Sequence, residues 1–139
     1  MRPVVAITRP AEQAEGLAAL LRAEGFEPLV VPAIRRLPPR SDLALARGIA
    51  ALDAGAYAGV LFTSPAAVRA FFDRRPPPLP AGAIVGAVGA GTAAALRARG
   101  VGEAVVPDRE DGVGLAGALV ERFGPRLRGM RFLQPRAEE

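Results

Sequence analysis

Chemistry in this chain has to be done with a short list of side chains. Its 139 residues include no Cys and no His, and all 18 basic residues are Arg, so Lys is absent as well. That excludes thiolate nucleophiles, Ser-His and Cys-His dyads, haem ligation by His, and structural zinc. It also excludes Schiff-base chemistry and a P-loop lysine. What remains is Asp, Glu, Arg, Ser, Thr, the single Tyr57 and backbone amides. Guanidinium groups suit carboxylates and phosphates, because each planar fork can hold two oxygens. GC-rich coding bias is the plainer origin of the missing Lys and also explains the abundant Ala, Gly and Pro. The net charge of +4 exists physically either way.

Three short stretches could bind an anion. Thr63-Ser64 places two hydroxyls at the end of an apolar run, just before a helix start with free N–H groups. Ser64 is expected to cap that helix in any case. Gly89-x-Gly91-x-x-Ala94 follows a strand and opens a helix, and Asp108 lies near where a ribose-binding acid would sit. Formally this is a dinucleotide fingerprint, whose physics is backbone approach to a pyrophosphate. Ala/Gly-rich chains also produce the pattern by chance, and then it is a tight turn. In Thr8-Arg9-Pro10 a bidentate cation stands after the first apolar run, although a surface Arg needs no further explanation. Arg35, Arg36 and Arg40 have no interleaved aromatics, and the chain is only 5% aromatic with no Trp, so no nucleic-acid platform is expected. The acidic pairs are unpersuasive as catalysts. Glu138-Glu139 is terminal, and Glu110-Asp111 enters a helix, where acids favour the dipole.

These residues must be positioned by something, and apolar runs alternate with helical patterns throughout. Strands are expected at Val4–Ile7, Leu29–Val31, Gly59–Phe62, Ala83–Val88, Ala104–Val106 and Met130–Leu133. Between them, Leu17, Leu20 and Leu21 form one helix stripe that ends at Gly25. Ser41 is expected to cap a second helix, with Leu45, Ile49 and Leu52 on one face. Ser64 and Pro65 open a third, with Val68, Phe71 and Phe72 buried. A short helix covers Thr92 to Arg99, and another carries Leu115, Leu119 and Phe123.

Six apolar strands separated by helices imply parallel pairing with right-handed crossovers, covered on both faces. The expected class is α/β, a three-layer parallel sheet, flavodoxin-like or Rossmann-like. Ligands in such folds sit at the C-terminal strand ends. Half the residues are apolar and 23% are charged, so the chain is not of disordered composition. The uncharged stretch from Pro76 to Leu96 is broken by Pro80, Gly82, Gly86, Gly89 and Gly91, so no membrane span is expected. The apolar start before Arg9 is too short for a signal peptide, and the lack of Cys fits a cytoplasmic protein.

Taken in order, the pieces resemble the uroporphyrinogen-III synthase family. A strand runs into Thr8-Arg9-Pro10, and a helix, Gly25 and a strand ending near Pro32 follow. Then come Phe62-Thr63-Ser64-Pro65-Ala66-Ala67-Val68 and Val88-Gly89-Ala90-Gly91-Thr92-Ala93-Ala94-Ala95-Leu96, followed by Gly100, Pro107 and Gly114-Leu115. No single motif is specific, but the ordered set spans nearly the whole chain. The resemblance makes the Gly-rich turn a family turn and implies a HemD-like fold.

The chain is similar to the first of the family's two pseudo-repeated halves. The resemblance therefore implies an opening βαβ unit at residues 1–34, a connector at 35–41, and an incomplete second flavodoxin-like domain at 42–139. A tyrosine implicated in the family belongs to the other half, and Tyr57 is in the wrong place to replace it. The implied reaction closes linear hydroxymethylbilane with inversion of its last pyrrole ring and loss of water. The pyrrole nitrogen pushes out the hydroxyl, so no cofactor, no metal and little acid–base machinery are implied. The protein's part is to hold a polycarboxylate tetrapyrrole folded for attack. By resemblance, Thr8, Arg9, Thr63, Ser64, Gly89, Gly91 and Thr92 are the expected substrate-binding residues. The chain alone is expected to be poorly active; it could close as a monomer with its strands in one flavodoxin-like sheet, or two copies could exchange opening units in a segment-swapped homodimer. The alternatives are a non-catalytic truncated α/β domain or a dinucleotide-binding protein.

Overall fold

A computed structural model describes residues 1–33 and 42–136. Expectations for Ser41, Arg35, Arg36, Arg40, the 35–41 connector and Glu138-Glu139 lie outside the described residues. The chain divides into two compact units, Met1–Pro38 and Pro39–Glu139.

The first unit is a small βαβ. Strand β1 (Val4–Ile7) pairs in parallel with β2 (Glu27–Val30), with Ile7 beside Val30. β2 begins two residues before the expected Leu29. The Glu27 amide already bonds to the Pro3 carbonyl, so the missing N–H of Pro28 falls on the outer edge. Helix α1 (Glu15–Ala23) joins the strands and stops at Gly25, whose φ of 85° is left-handed. The expected Leu17–Leu20–Leu21 stripe is corrected: Leu20 is 67% exposed, while Ala14 and Ala18 are buried beside Ile7, with Leu21 packed against them. Small residues let the helix approach a two-stranded sheet closely, and that outweighs the larger leucine surface. Val4 and Leu29 remain exposed, as does Val31.

The second unit carries the larger core. Strands β3 (Gly59–Phe62), β4 (Ile84–Ala87) and β5 (Phe132–Leu133) form a parallel sheet in the order β4-β3-β5. β4 and β5 are shorter than expected at Ala83–Val88 and Met130–Leu133. The strand expected at Ala104–Val106 shrinks to one bridge, Val105 beside Gly86. Val105 donates to the Val85 carbonyl at 2.8 Å and accepts from Ala87 at 2.9 Å. The next donor in that parallel ladder would be residue 107, and Pro107 has no N–H to give.

Side chains alternate across this sheet. Val60, Phe62, Val85 and Ala87 pack with α3 (Pro65–Phe72), α4 (Ala90–Ala98) and Leu52 of α2 (Leu43–Asp53). On the opposite face Leu61 and Ile84 pack with α5 (Gly112–Phe123) through Leu115. Gly86 is small for a reason: a Cβ there would lie 2.7 Å from Leu61 Cδ2 and 3.2 Å from Leu115 Cδ1. The expected faces of α2, α3 and α5 are as the sequence implied. Helix α4 starts at Ala90 rather than Thr92, so Gly91 lies in its first turn and Gly89 is its N-cap.

Candidate functional site

The strand order of the second unit reverses at β3. From β3 the chain moves through α3 to β4 and the Val105 bridge, then returns through α5 to β5 on the other side of β3. In open α/β sheets such a reversal is where ligands commonly bind, beyond the carboxyl ends of the two flanking strands, here β3 and β5. Thr63 and Ser64 follow β3 at that end, and Gln134-Pro135-Arg136 follow β5. Helix α3 begins at the β3 exit and α4 at the exit of the neighbouring β4, and both start from extended caps.

Ser64 is the N-cap of α3, and its hydroxyl oxygen accepts from the Ala67 amide at 3.1 Å. Pro65 takes the first helical position, where no N–H is needed. Thr63 and Ser64 are both half-buried, so each retains access to solvent. The Gly89 turn lies on the neighbouring strand: the Val88 amide donates to the Phe62 carbonyl at 3.0 Å, which ties the two strand ends together. Thr63, Ser64, Gly89, Gly91 and Thr92 are therefore gathered at the ends of two adjacent strands. Gly91 faces open space, whereas Thr92 is 3% exposed and belongs to the packed side of α4. Thr8 and Arg9 are exposed after β1 in the first unit.

Glu110 is the residue the sequence reading undervalued. Its Oε1 accepts from the Ala90 amide at 2.8 Å, at the start of α4. The next residue, Asp111, behaves as expected at the head of a helix: it is the N-cap of α5 and accepts from the Gly114 amide at 2.7 Å. That backbone hydrogen bond, with the neighbouring Arg109 guanidinium, holds the Asp111 carboxyl below the usual carboxylate range. The two acids thus serve two different helices. The Glu110 contact spans twenty residues of sequence, so local pattern could not find it.

A shallow cleft of about 140 Å³ lies at the opposite, amino-terminal end of β3, between Leu52, Asp53, Tyr57, Pro80 and Gly82. Its carboxylate is committed, since Asp53 pairs with Arg75 at 2.6 Å. Tyr57 is covered by the Arg131 guanidinium at 5.2 Å. It offers no anion-binding group comparable to the β3 and β4 exits. Among the described residues, no group of His, Cys, Asp and Glu could hold a metal ion, and no helix is long and apolar enough to cross a membrane.

No curated protein matches the chain. The family model described as uroporphyrinogen-III synthase HemD matches residues 15–139, which takes in α1, the whole second unit and the starts of α3 and α4. With nine-tenths of its length in that match and the parallel α/β fold that goes with it, the chain belongs to the uroporphyrinogen-III synthase family.

Proposed function

We propose that this chain carries the first-half architecture of a uroporphyrinogen-III synthase and grips the carboxylates of a linear tetrapyrrole. Family membership supports a synthase-type activity in general. The observation that carries the finer reading is the pairing of the β3 and β4 exits, which brings Thr63-Ser64 beside the Gly89 turn. Hydroxyls there, and the helix-start amides not already taken by Ser64 and Glu110, can meet carboxylate oxygens without any ionisable catalyst. Gly91 belongs to the same reading, with Thr92 on the buried side of α4; Thr8 and Arg9, exposed after β1, are proposed as carboxylate ligands of the first unit by itself.

The reaction suits this side-chain set. Loss of the hydroxymethyl oxygen is driven by the pyrrole nitrogen of the substrate itself. The protein contributes by folding the chain of rings so that the two ends meet, which raises their effective concentration. A cofactor-free, cytoplasmic lyase of tetrapyrrole synthesis is the resulting assignment.

Thermal unfolding with two ligands tests it. An octacarboxylate tetrapyrrole is expected to raise the midpoint in a saturable way, and NAD is expected to leave it unchanged. The reverse pattern would overturn the reading in favour of a dinucleotide. Incubated with hydroxymethylbilane, the chain alone is expected to give the spontaneous type I product. Catalytic formation of type III by this chain alone would contradict the half-architecture.

A further inference from the structure

Helix α5 is apolar on every side. From Gly112 to Val120 it carries no charged or polar side chain. One side is accounted for: Leu115 and Leu119 are buried against the sheet, and Ala118 and Phe123 pack with them. The opposite side is bare. Val113 and Val120 lie seven residues apart on one line of the helix and are 70% and 61% exposed. Ala116 and Gly117, between them, are exposed as well. A surface helix ordinarily turns charged residues to water, and one that is apolar all round is ordinarily buried.

We propose that this outward face of α5 is a self-association surface, on which α5 of a second copy packs antiparallel. Charge selects a second copy as the occupant. Before the helix stand Asp108, Glu110 and Asp111 with one cation, Arg109; at its end stand Arg122, Arg126 and Arg128 with one acid, Glu121. Arg122, Arg126, Arg128, Asp108 and Glu110 enter no ion pair among the described residues. An antiparallel pair lays the acidic end of each helix along the basic end of the other, twice by symmetry; a parallel pair would set like ends together. The valines select the register. With Val113 against Val120 of the second copy, Ala116 meets Gly117 at the centre. Gly117 is not required by its own chain: its φ is not positive, and an added Cβ would meet nothing within 4 Å. A mid-helix glycine weakens a helix, but here it lets two helices approach closely. The inference is separate from the tetrapyrrole reading and from exchange of opening units, because it is read at residue 117 in the second unit.

The chain has no Cys, so one introduced thiol reports on one place. Under mild oxidation at micromolar concentration, Gly117→Cys is expected to form a disulfide-linked pair. Arg69→Cys, exposed on α3 across the sheet, is the control and is expected to stay unlinked. Val113→Cys is expected to link to Val120→Cys in a mixture and poorly to itself, since its own copies stand about 10 Å apart along an antiparallel pair. Adding Val120→Arg to Gly117→Cys is expected to slow linking at least about tenfold, because it places a charge in the apolar contact. If Gly117→Cys does not fold, Ala116→Cys carries the test. No linking by a folded Gly117→Cys or Ala116→Cys, equal linking by Arg69→Cys, or Val113→Cys linking to itself as fast as to Val120→Cys would each overturn the antiparallel pair.

Discussion

Phe62, the last residue of β3, meets Phe71 of α3 edge to face, with ring centroids 5.4 Å apart and planes at 82°. Both rings are fully buried, and Phe72 packs on each of them. Thr63 and Ser64 follow Phe62 directly, so this trio fixes where the two hydroxyls stand. Phe71→Ala is expected to destabilise the chain by about 3–5 kcal/mol, from lost burial plus a cavity. Phe71→Leu should lose less, because most of the volume remains. Urea midpoints measure both; a Phe71→Ala loss below about 1 kcal/mol would mean that the core is organised elsewhere.

Ser64 is the helix cap next to that trio. Ser64→Ala removes the acceptor for the Ala67 amide and is expected to cost about 1 kcal/mol, while Ser64→Asp should retain most of the stability. An Ala variant with an unchanged denaturation midpoint would reject the cap.

Asp111 links stability to acidity. Its carboxyl is held below the ordinary value, first by the Gly114 amide and then by Arg109. A lowered folded-state value means that the unfolded chain binds the proton more readily. The contribution is therefore complete above the unfolded value of about 3.9, and fades as pH falls through the lower folded value. Asp111→Asn, which keeps an acceptor at the cap, should flatten this part of the acid-unfolding curve. Identical curves for the two chains would remove Asp111 from the account.

Segment exchange is the prediction for the first unit, where one helix serves a two-stranded sheet and Val4 and Leu29 are 60% and 53% exposed. Exchange of opening units between two copies is expected to give a species of twice 14.4 kDa in light scattering at micromolar concentration. A clean monomer would reject the exchange.

What could be read from the sequence was whatever depends on near neighbours. β1, β3 and the Ser64-Pro65 helix start were legible, since an apolar run or a cap followed by Pro acts within a few residues. The faces of α2, α3 and α5 followed from helical period alone. The α1 stripe misled because Leu20 is more apolar than Ala18, yet only a small side chain fits under that helix. The bridge at Val105 looked like a strand until the missing donor of Pro107 was placed in register with β4. Glu110 escaped because its partner is twenty residues away. At the candidate site, Thr63-Ser64 and the Gly89 turn were visible as separate motifs. Their adjacency required the β3–β4 register.

The central claim is that the β3 and β4 exits receive the carboxylates of a tetrapyrrole. Amide chemical-shift mapping with an octacarboxylate tetrapyrrole tests it most directly. The account predicts saturable shifts at Thr63, Ser64 and Gly91, abolished by neutral methyl esters of the same ligand. Shifts confined to the cleft around Asp53, Tyr57 and Gly82 at the other end of the strands, or none at all, would contradict it.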